Sequence, residues 1–230
     1  MPIAWRRIAD EINASSERYL LCVSGGVDSM FMLDFFHRQC RRPFRVAHFN
    51  HALRPAADRE EALVRGWCTG NGIAFVSGRG DPEAMRSASS LEAEARRQRF
   101  SFFEENRLPE EMLVTAHHAN DQLETVLLRL MRGYPETELR MQKFRDGRYK
   151  PFLSVPKEEI VRQATARGLR WAEDESNQDL AIERNWVRNV LVPQMMERRN
   201  VLQTIGLREA PAVPENAPGP AECHTCGCKP

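Results

Sequence analysis

Short apolar strands that alternate with helical segments predict an α/β fold on a parallel sheet, with a short helical extension and a flexible tail. Three observations carry that prediction. An apolar run passes through Ser-Gly-Gly straight into a helical pattern near residue 24, and three later strand-like stretches follow, interleaved with helical patterns. The polar motifs SGGVDS, HFNHALR and HHANDQLET all fall just beyond strand ends. Ligands of parallel sheets sit outside those ends, so the motifs are expected to face one crevice.

The first element is LLCVSGGVDSMFML: residues 20–23 read as a buried strand, and Met30, Phe31, Leu33, Phe35 and Phe36 recur at helical spacing. Gly25 and Gly26 therefore form a strand-to-helix turn where backbone can approach a ligand and free N–H groups attract phosphate. The spacing is neither that of the Walker loop nor G-x-G-x-x-G. Ser24, Asp28 and Ser29 add two hydroxyls and a carboxylate, which suit a triphosphate with its Mg2+; helix capping is the plainer role for Asp28 and Ser29.

A second strand is expected over residues 44–48, followed by an amphipathic helix in REEALVRGWCTGNGI that ends at Gly70 or Gly72. AFVSGRG is a third strand. Ser89 with Glu92 makes a capping box for LEAEARRQRFSFFEENR, and EMLVTAHH is a fourth strand feeding the helix NDQLETVLLRLMRG, stopped by Gly133. A basic, Pro-punctuated connection leads to PKEEIVRQATARG, a helix with Pro156 near its start and Gly168 past its end. WAEDESNQD is a polar loop, and AIERNWVRNVLVPQMMERR is helical up to a break before Pro193. From Ala210 onward the composition is that of a Pro-rich linker. The expected division is residues 1–200 as a catalytic domain with its helical extension and 201–230 as linker and Cys-rich tail.

The 230 residues suffice for one good core, and no apolar run approaches the roughly 18 residues of a membrane span. The N-terminal MPIAWRRIADEI carries charges where a signal peptide needs apolar residues, so the expected location is the cytoplasm, with no membrane partner. A net charge of +1 says little about nucleic acid, yet residues 129–150 hold seven bases against three acids. That segment is either a solvated surface or a polyanion contact.

Asp121 and Glu124 lie three apart at a helix start, so both carboxylates are expected to face the crevice with Asp28. Such a set can hold Mg2+ or deprotonate an amine; pairing with the helix dipole is the bland alternative. His117 and His118 end a strand, so one ring must point into the site or the core.

SGGVDS, HFNHALR, SLEAEARRQRF, TAHHANDQLETVLLRLMRG and EDESNQDLAIERNWVRNVLVP, in this order over about residues 16–196, resemble the catalytic domain of the tRNA(Ile)-lysidine synthetase family. That family belongs to the PP-loop ATP pyrophosphatases, with the signature SGGxDS. The resemblance implies a PP-loop, Rossmann-like fold and a ligase that adenylates the C2 oxygen of a wobble cytidine with ATP and then accepts free L-lysine. By motif position it implies ATP binding at Ser24, Gly25, Gly26, Val27, Asp28, Ser29, Ala47, Asn50 and His117. Asp28, Asp121 and Glu124 would be catalytic, with Mg2+ on Asp28 and Asp121. The tRNA would be met by Arg54, Arg96, Arg99, Arg132, Asn177, Arg184, Asn185 and Arg188, with His51 near the same crevice. Asn120 stands where the family carries an acid, YPETELRMQ replaces a glycine-rich stretch, and the chain reads as a short form without the C-terminal tRNA-binding domains. A homodimer is compatible with all of this.

The tail motif CHTCGC brings together Cys223, Cys226 and Cys228. Reactive thiols are the reading preferred there, with zinc the alternative, because a closed zinc site wants four well-placed ligands. Cys22, Cys40 and Cys68 are expected to be buried packing residues. The runner-up functions are another PP-loop tRNA enzyme, such as a thiolase drawing sulfur through the tail, and an inactive tRNA-binding protein of the same fold.

Overall fold

The computed structural model describes residues 3–15, 17–173, 182–199 and 201–202. The chain runs through α1 (Ile3–Ala14), β1 (Arg18–Cys22), α2 (Val27–Gln39), β2 (Phe44–Asn50), α3 (Ala56–Gly70), β3 (Phe75–Arg79), α4 (Pro82–Ser87), α5 (Leu91–Asn106), β4 (Glu111–Val114) and α6 (Ala119–Met131). A short 3-10 turn then leads to β5 (Phe144–Arg145) and β6 (Arg148–Tyr149), followed by α7 (Lys157–Ala166), α8 (Glu183–Trp186), a π turn (Val187–Leu191) and α9 (Val192–Arg198). The strands order as β3-β2-β1-β4-β6-β5, all parallel except the edge pair β5 and β6. The chain steps outward from β1 to β3, then returns to lay β4 on the other side of β1. That reversal opens a crevice between β1 and β4.

Side-chain alternation along β1 decides which helices cover which face. Tyr19, Leu21 and Val23 join a core with Trp5, Ile8 and Ile12 of α1, Phe31, Phe35 and Phe36 of α2, and Ile160 of α7. Leu20 points the other way, into a smaller core with Ala47, Phe49, Met85 and Phe103. Each Val, Leu, Ile, Phe or Met side chain among them contributes about 1.5–3 kcal/mol by leaving water. Helix α2 is covered on nearly every side, its residues from Ser29 to Phe36 all buried. Its Asp34 is neutralised by Arg38 (2.8 Å) and Arg167 (2.7 Å). A third cluster, Ala119, Leu123 and Leu202, packs the residues after α9 against α6.

Close approach of α5 to β3 depends on Gly78. A Cβ there would stand 2.4 Å from the Phe102 ring. Gly78→Ala is expected to cost about 1–3 kcal/mol, because that ring is packed against Phe49 and Phe103 and has little room to turn. Thermal melting checks it; an unchanged midpoint would show that α5 is free to shift.

The structure differs from the sequence expectations in four places. Residues 144–149 form a hairpin where a plain connection was expected: Asp146 (φ 51°) and Gly147 (φ 69°) make the tight turn, and Phe144 stacks on Tyr149 at 4.4 Å. The cap of α5 is Ser90, whose Oγ accepts from the Ala93 N–H at 3.3 Å, so the Ser89–Glu92 box does not form. No break precedes Pro193: the wider π turn carries the Val192 N–H back to the Val187 carbonyl, which accommodates the proline ring in a continuing helix. Cys68 is buried as expected, but Cys22 and Cys40 are only half-buried by surface. Among the described residues no helix is long and apolar enough to cross a membrane.

Candidate functional site

The glycine turn between β1 and α2 is held by one hydroxyl. Ser29 Oγ accepts from the N–H of Ser24 (3.2 Å) and of Gly25 (3.1 Å) and donates to the Gly26 carbonyl (3.0 Å). Gly25 has φ 98°, open to glycine at little cost, and a Cβ on it would press on Glu60 at 3.3 Å. Its carbonyl accepts from the Ala172 N–H (2.9 Å), which ties the segment after α7 to the turn. Gly26 is the N-cap of α2 and supplies no side chain, so the positive end of a 13-residue helix is left to an outside anion. Ser29→Ala removes the hub of the turn and is expected to cost about 1–2 kcal/mol, or roughly 2–8 °C in melting midpoint. A midpoint within a degree of wild type would mean that the turn holds itself.

Asp28, in the first turn of α2, meets the start of α6 across the crevice. Its Oδ2 lies 3.5 Å from His118 Nε2 and 3.7 Å from Lys157 Nζ, while its Oδ1 is buried with no hydrogen-bond partner. His118 caps α6: Nδ1 accepts from the Asp121 N–H (3.4 Å), and Asp121 Oδ2 returns the favour to the His118 N–H (2.9 Å). With Nδ1 accepting, the ring proton sits on Nε2 and points at Asp28. Burial opposes charge on both partners, but the contact outweighs it: Asp28 is held below the ordinary carboxylate value and His118 above the ordinary imidazole value. Protonating His118 on Nδ1 would break the cap and turn that nitrogen toward Asp121 Oδ2, 3.4 Å away.

Glu124, one turn further along α6, is almost wholly buried and gripped by Arg188 of the π turn, with Nε to Oε1 at 2.7 Å and Nη2 to Oε2 at 2.9 Å. Arg184 Nη1 stands 3.7 Å from the same carboxylate, and Arg188 Nη2 is 3.7 Å from Asp121. Asn120 staples the two helices at the site, its Oδ1 accepting from the Lys157 N–H at 2.9 Å. An amide oxygen does this as well as an acid would.

Behind the acids lies a basic wall. His117, its Nδ1 2.8 Å from Thr115 Oγ1, stays neutral: burial depresses it to about 4, with Lys150, Arg96 and Arg99 adding to the effect and Asp121 opposing it. His51 is likewise held at about 4 by burial, then by Arg99, His48 and Arg54, and its Nδ1 is buried without a partner.

The structure thus brings Ser24 to Ser29 together with Asp121, Glu124, Arg184 and Arg188. Val27 opens α2 beside Gly26. His117, Arg96 and Arg99 interact electrostatically with one another near Asp121, whereas the side chains of several other expected site residues have partners of their own. Ala47 packs its side chain in the smaller core and gives its carbonyl to the Val23 N–H (2.9 Å). Asn50 is buried, donating to Asp58 and Glu61 and accepting from the Ala52 N–H. Arg54 pairs with Glu60 at 2.7 Å, and Arg132 with Glu183 on α8. Asn185 is buried in α8. Asn177, Cys223, Cys226 and Cys228 lie outside the described residues.

Lys157 was not expected at the site. A signal existed: lysine at the first position of a helix opposes the macrodipole, and a broken local rule marks a site worth inspecting. Asp28 and Asp121 approach the His118 ring from two sides, and the unpartnered Asp28 Oδ1 fits a hard cation such as Mg2+. Mg2+ takes one or two carboxylates and completes its shell with phosphate and water. No group of three or more His, Cys, Asp or Glu among the described residues is arranged to hold a metal by itself.

The mostly parallel sheet, the uncapped glycine turn and the β1/β4 switch define a Rossmann-like α/β domain with a crevice at the strands' carboxyl ends. The chain belongs to the PP-loop family, whose domain matches residues 3–195. It is 34% identical over 200 residues to a tRNA(Ile)-lysidine synthase of Vibrio vulnificus, covering 84% of this chain and 46% of that protein. It is 39% identical over 185 residues to that of Streptococcus mutans, covering 76% and 41%. The chain therefore spans about half the length of the curated relatives it matches. In fold it is similar to the U34-tRNA thiolase NcsA from Methanococcus maripaludis, with a TM-score of 0.67 at 15% identity over 89% of this chain and 76% of the other.

Proposed function

We propose that this chain is the ATP-using part of a tRNA-modifying ligase that joins the side-chain amine of L-lysine to the wobble cytidine of an isoleucine tRNA with a CAU anticodon. The relatives named tRNA(Ile)-lysidine synthase support the substrate pair. The observation that carries the chemistry is the meeting of Asp28 and Asp121 at one imidazole beside an uncapped glycine turn.

In this reading the amides at the start of α2, with Ser24, Gly25, Gly26, Val27 and Ser29, cradle the triphosphate, and Asp28 and Asp121 hold Mg2+. The metal would neutralise charge on the phosphates as it develops. Lys157, already beside Asp28, takes up a phosphate oxygen. The cytidine O2 attacks the α-phosphorus and pyrophosphate leaves, which converts a poor leaving group into a phosphate ester. The lysine amine, its proton passed to Glu124, then attacks C2 and AMP departs. Half-buried Cys22 has no place in this scheme: burial pushes its thiol up to about 12, so it stays protonated.

Nucleoside mass spectrometry of the tRNA after incubation with protein, ATP, Mg2+ and lysine tests the reading. A lysine adduct on the wobble cytidine is the expected result. Pyrophosphate release without that adduct would overturn the nucleophile while leaving nucleotide use intact.

A further inference from the structure

We infer that Arg96, Arg99 and Arg148, gathered on the ring of Phe100, form a phosphate-binding platform for the single-stranded RNA backbone beside the acid site; this rests on the proposal that the chain acts on RNA. Their guanidinium carbons lie 4.7, 5.4 and 4.7 Å from the ring centroid. Arg148 is paired with Glu104 at 2.8 Å, but no carboxylate among the described residues lies within ion-pair distance of Arg96 or Arg99. Glu92 is the acid whose charge they sense, and it forms no pair with either.

Three like charges on one ring are an arrangement that packing alone does not favour. Burial lowers the Arg96 guanidinium and the neighbouring Arg184 and Arg148 lower it further; burial and then Arg96 do the same to Arg99. Lys150 is depressed by burial, then by Arg148, Arg145 and Arg96. A polyanion relieves this crowding, and a guanidinium stacked on an aromatic ring keeps its N–H edges free to fork onto phosphate oxygens. Arg planes and an aromatic face are also what unstacked RNA nucleotides lie against.

His117 links the platform electrostatically to the acid site: Asp121 favours charge on its ring, while Arg96 and Arg99 oppose it. Phosphate oxygens could come from the RNA backbone or from the nucleotide. The RNA is favoured because the glycine turn on α2 already receives the nucleotide's phosphates, and α2 and α5 cover opposite faces of the sheet.

The test uses a CAU-anticodon stem-loop RNA, and ATP separately, with Kd measured against salt for wild type and for the double variant R96Q/R99Q. The RNA salt slope is expected to become shallower by about 1.4, at about 0.7 per lost phosphate contact in single strands. RNA affinity at low salt should fall tenfold or more, with a smaller effect on ATP. R96K/R99K retains the charge but not the fork, so it should keep most of the slope and lose affinity. With crowding relieved, R96Q/R99Q should melt no lower than wild type.

An unchanged RNA slope in folded R96Q/R99Q overturns the platform, and a loss confined to ATP assigns it to the nucleotide instead. Should R96Q/R99Q melt several degrees lower, the arginines are structural and the inference falls. A shallower slope in a protein that forms no lysine adduct would leave the platform standing and overturn the ligase reading.

Discussion

Asp28→Asn is expected to lower nucleotide-dependent pyrophosphate release by about 10²- to 10³-fold while the fold stands. Asparagine keeps the shape and one oxygen but removes the charge that would face Mg2+ and phosphate. Little stability is at stake: the carboxylate contacts His118 at 3.5 Å and the partly exposed Lys157 at 3.7 Å, and among the described residues no backbone group bonds to it. Loose ion pairs of this kind are worth about 1 kcal/mol or less. The burial of an unpartnered Oδ1 works against the native residue too. A melting midpoint close to wild type with activity gone is the signature of a charge placed for chemistry. Full activity in the variant would remove Asp28 from the mechanism.

How much of this was legible in the sequence depends on how far each feature reaches along the chain. Strand β1 and helix α2 announce themselves because the apolar period changes at a glycine pair within fourteen residues, and the β4–α6 step does so in the same way. The hairpin at residues 144–149 was missed because its strands are two residues long, too short for a period of two to register. Its Asp-Gly turn was the available clue. Asp28 and Asp121 were legible as crevice-facing acids because both follow strand ends, and the structure brings them to one imidazole, His118. Lys157 was not, because its place at Asp28 is fixed by the Asn120 side chain, 37 residues earlier, through a bond that no local pattern foretells. Likewise, Arg148 reaches Phe100 only because β6 lies beside β4. Asn50 shows what such a pattern leaves out, since the side chain of a polar residue at a strand end also bonds to its own neighbours.

Arg188→Ala is expected to destabilise the protein by about 3–5 kcal/mol, because it strands a carboxylate that the fold has already taken out of water. Glu124 is 3% exposed and takes both its short charged hydrogen bonds from this one guanidinium. At a size of 230 residues the loss corresponds to a fall of roughly 6–20 °C in melting midpoint. Adding Glu124→Gln to the variant should recover most of the loss, since a neutral amide is far cheaper to bury than an unpaired charge. A single variant that melts like wild type would mean that Arg184, 3.7 Å away, swings in to replace the lost partner. In the proposed reaction, a proton passed to Glu124 would weaken its two bonds to Arg188, and the π turn that carries Arg188 is the kind of irregular segment in which a small change of register can release it. Arg188→Lys separates the two roles: a point charge without the fork should keep more of the stability than alanine does, while its weaker grip on Glu124 changes the KM for lysine more than the KM for ATP. Equal changes in both constants would place Arg188 in the scaffold alone.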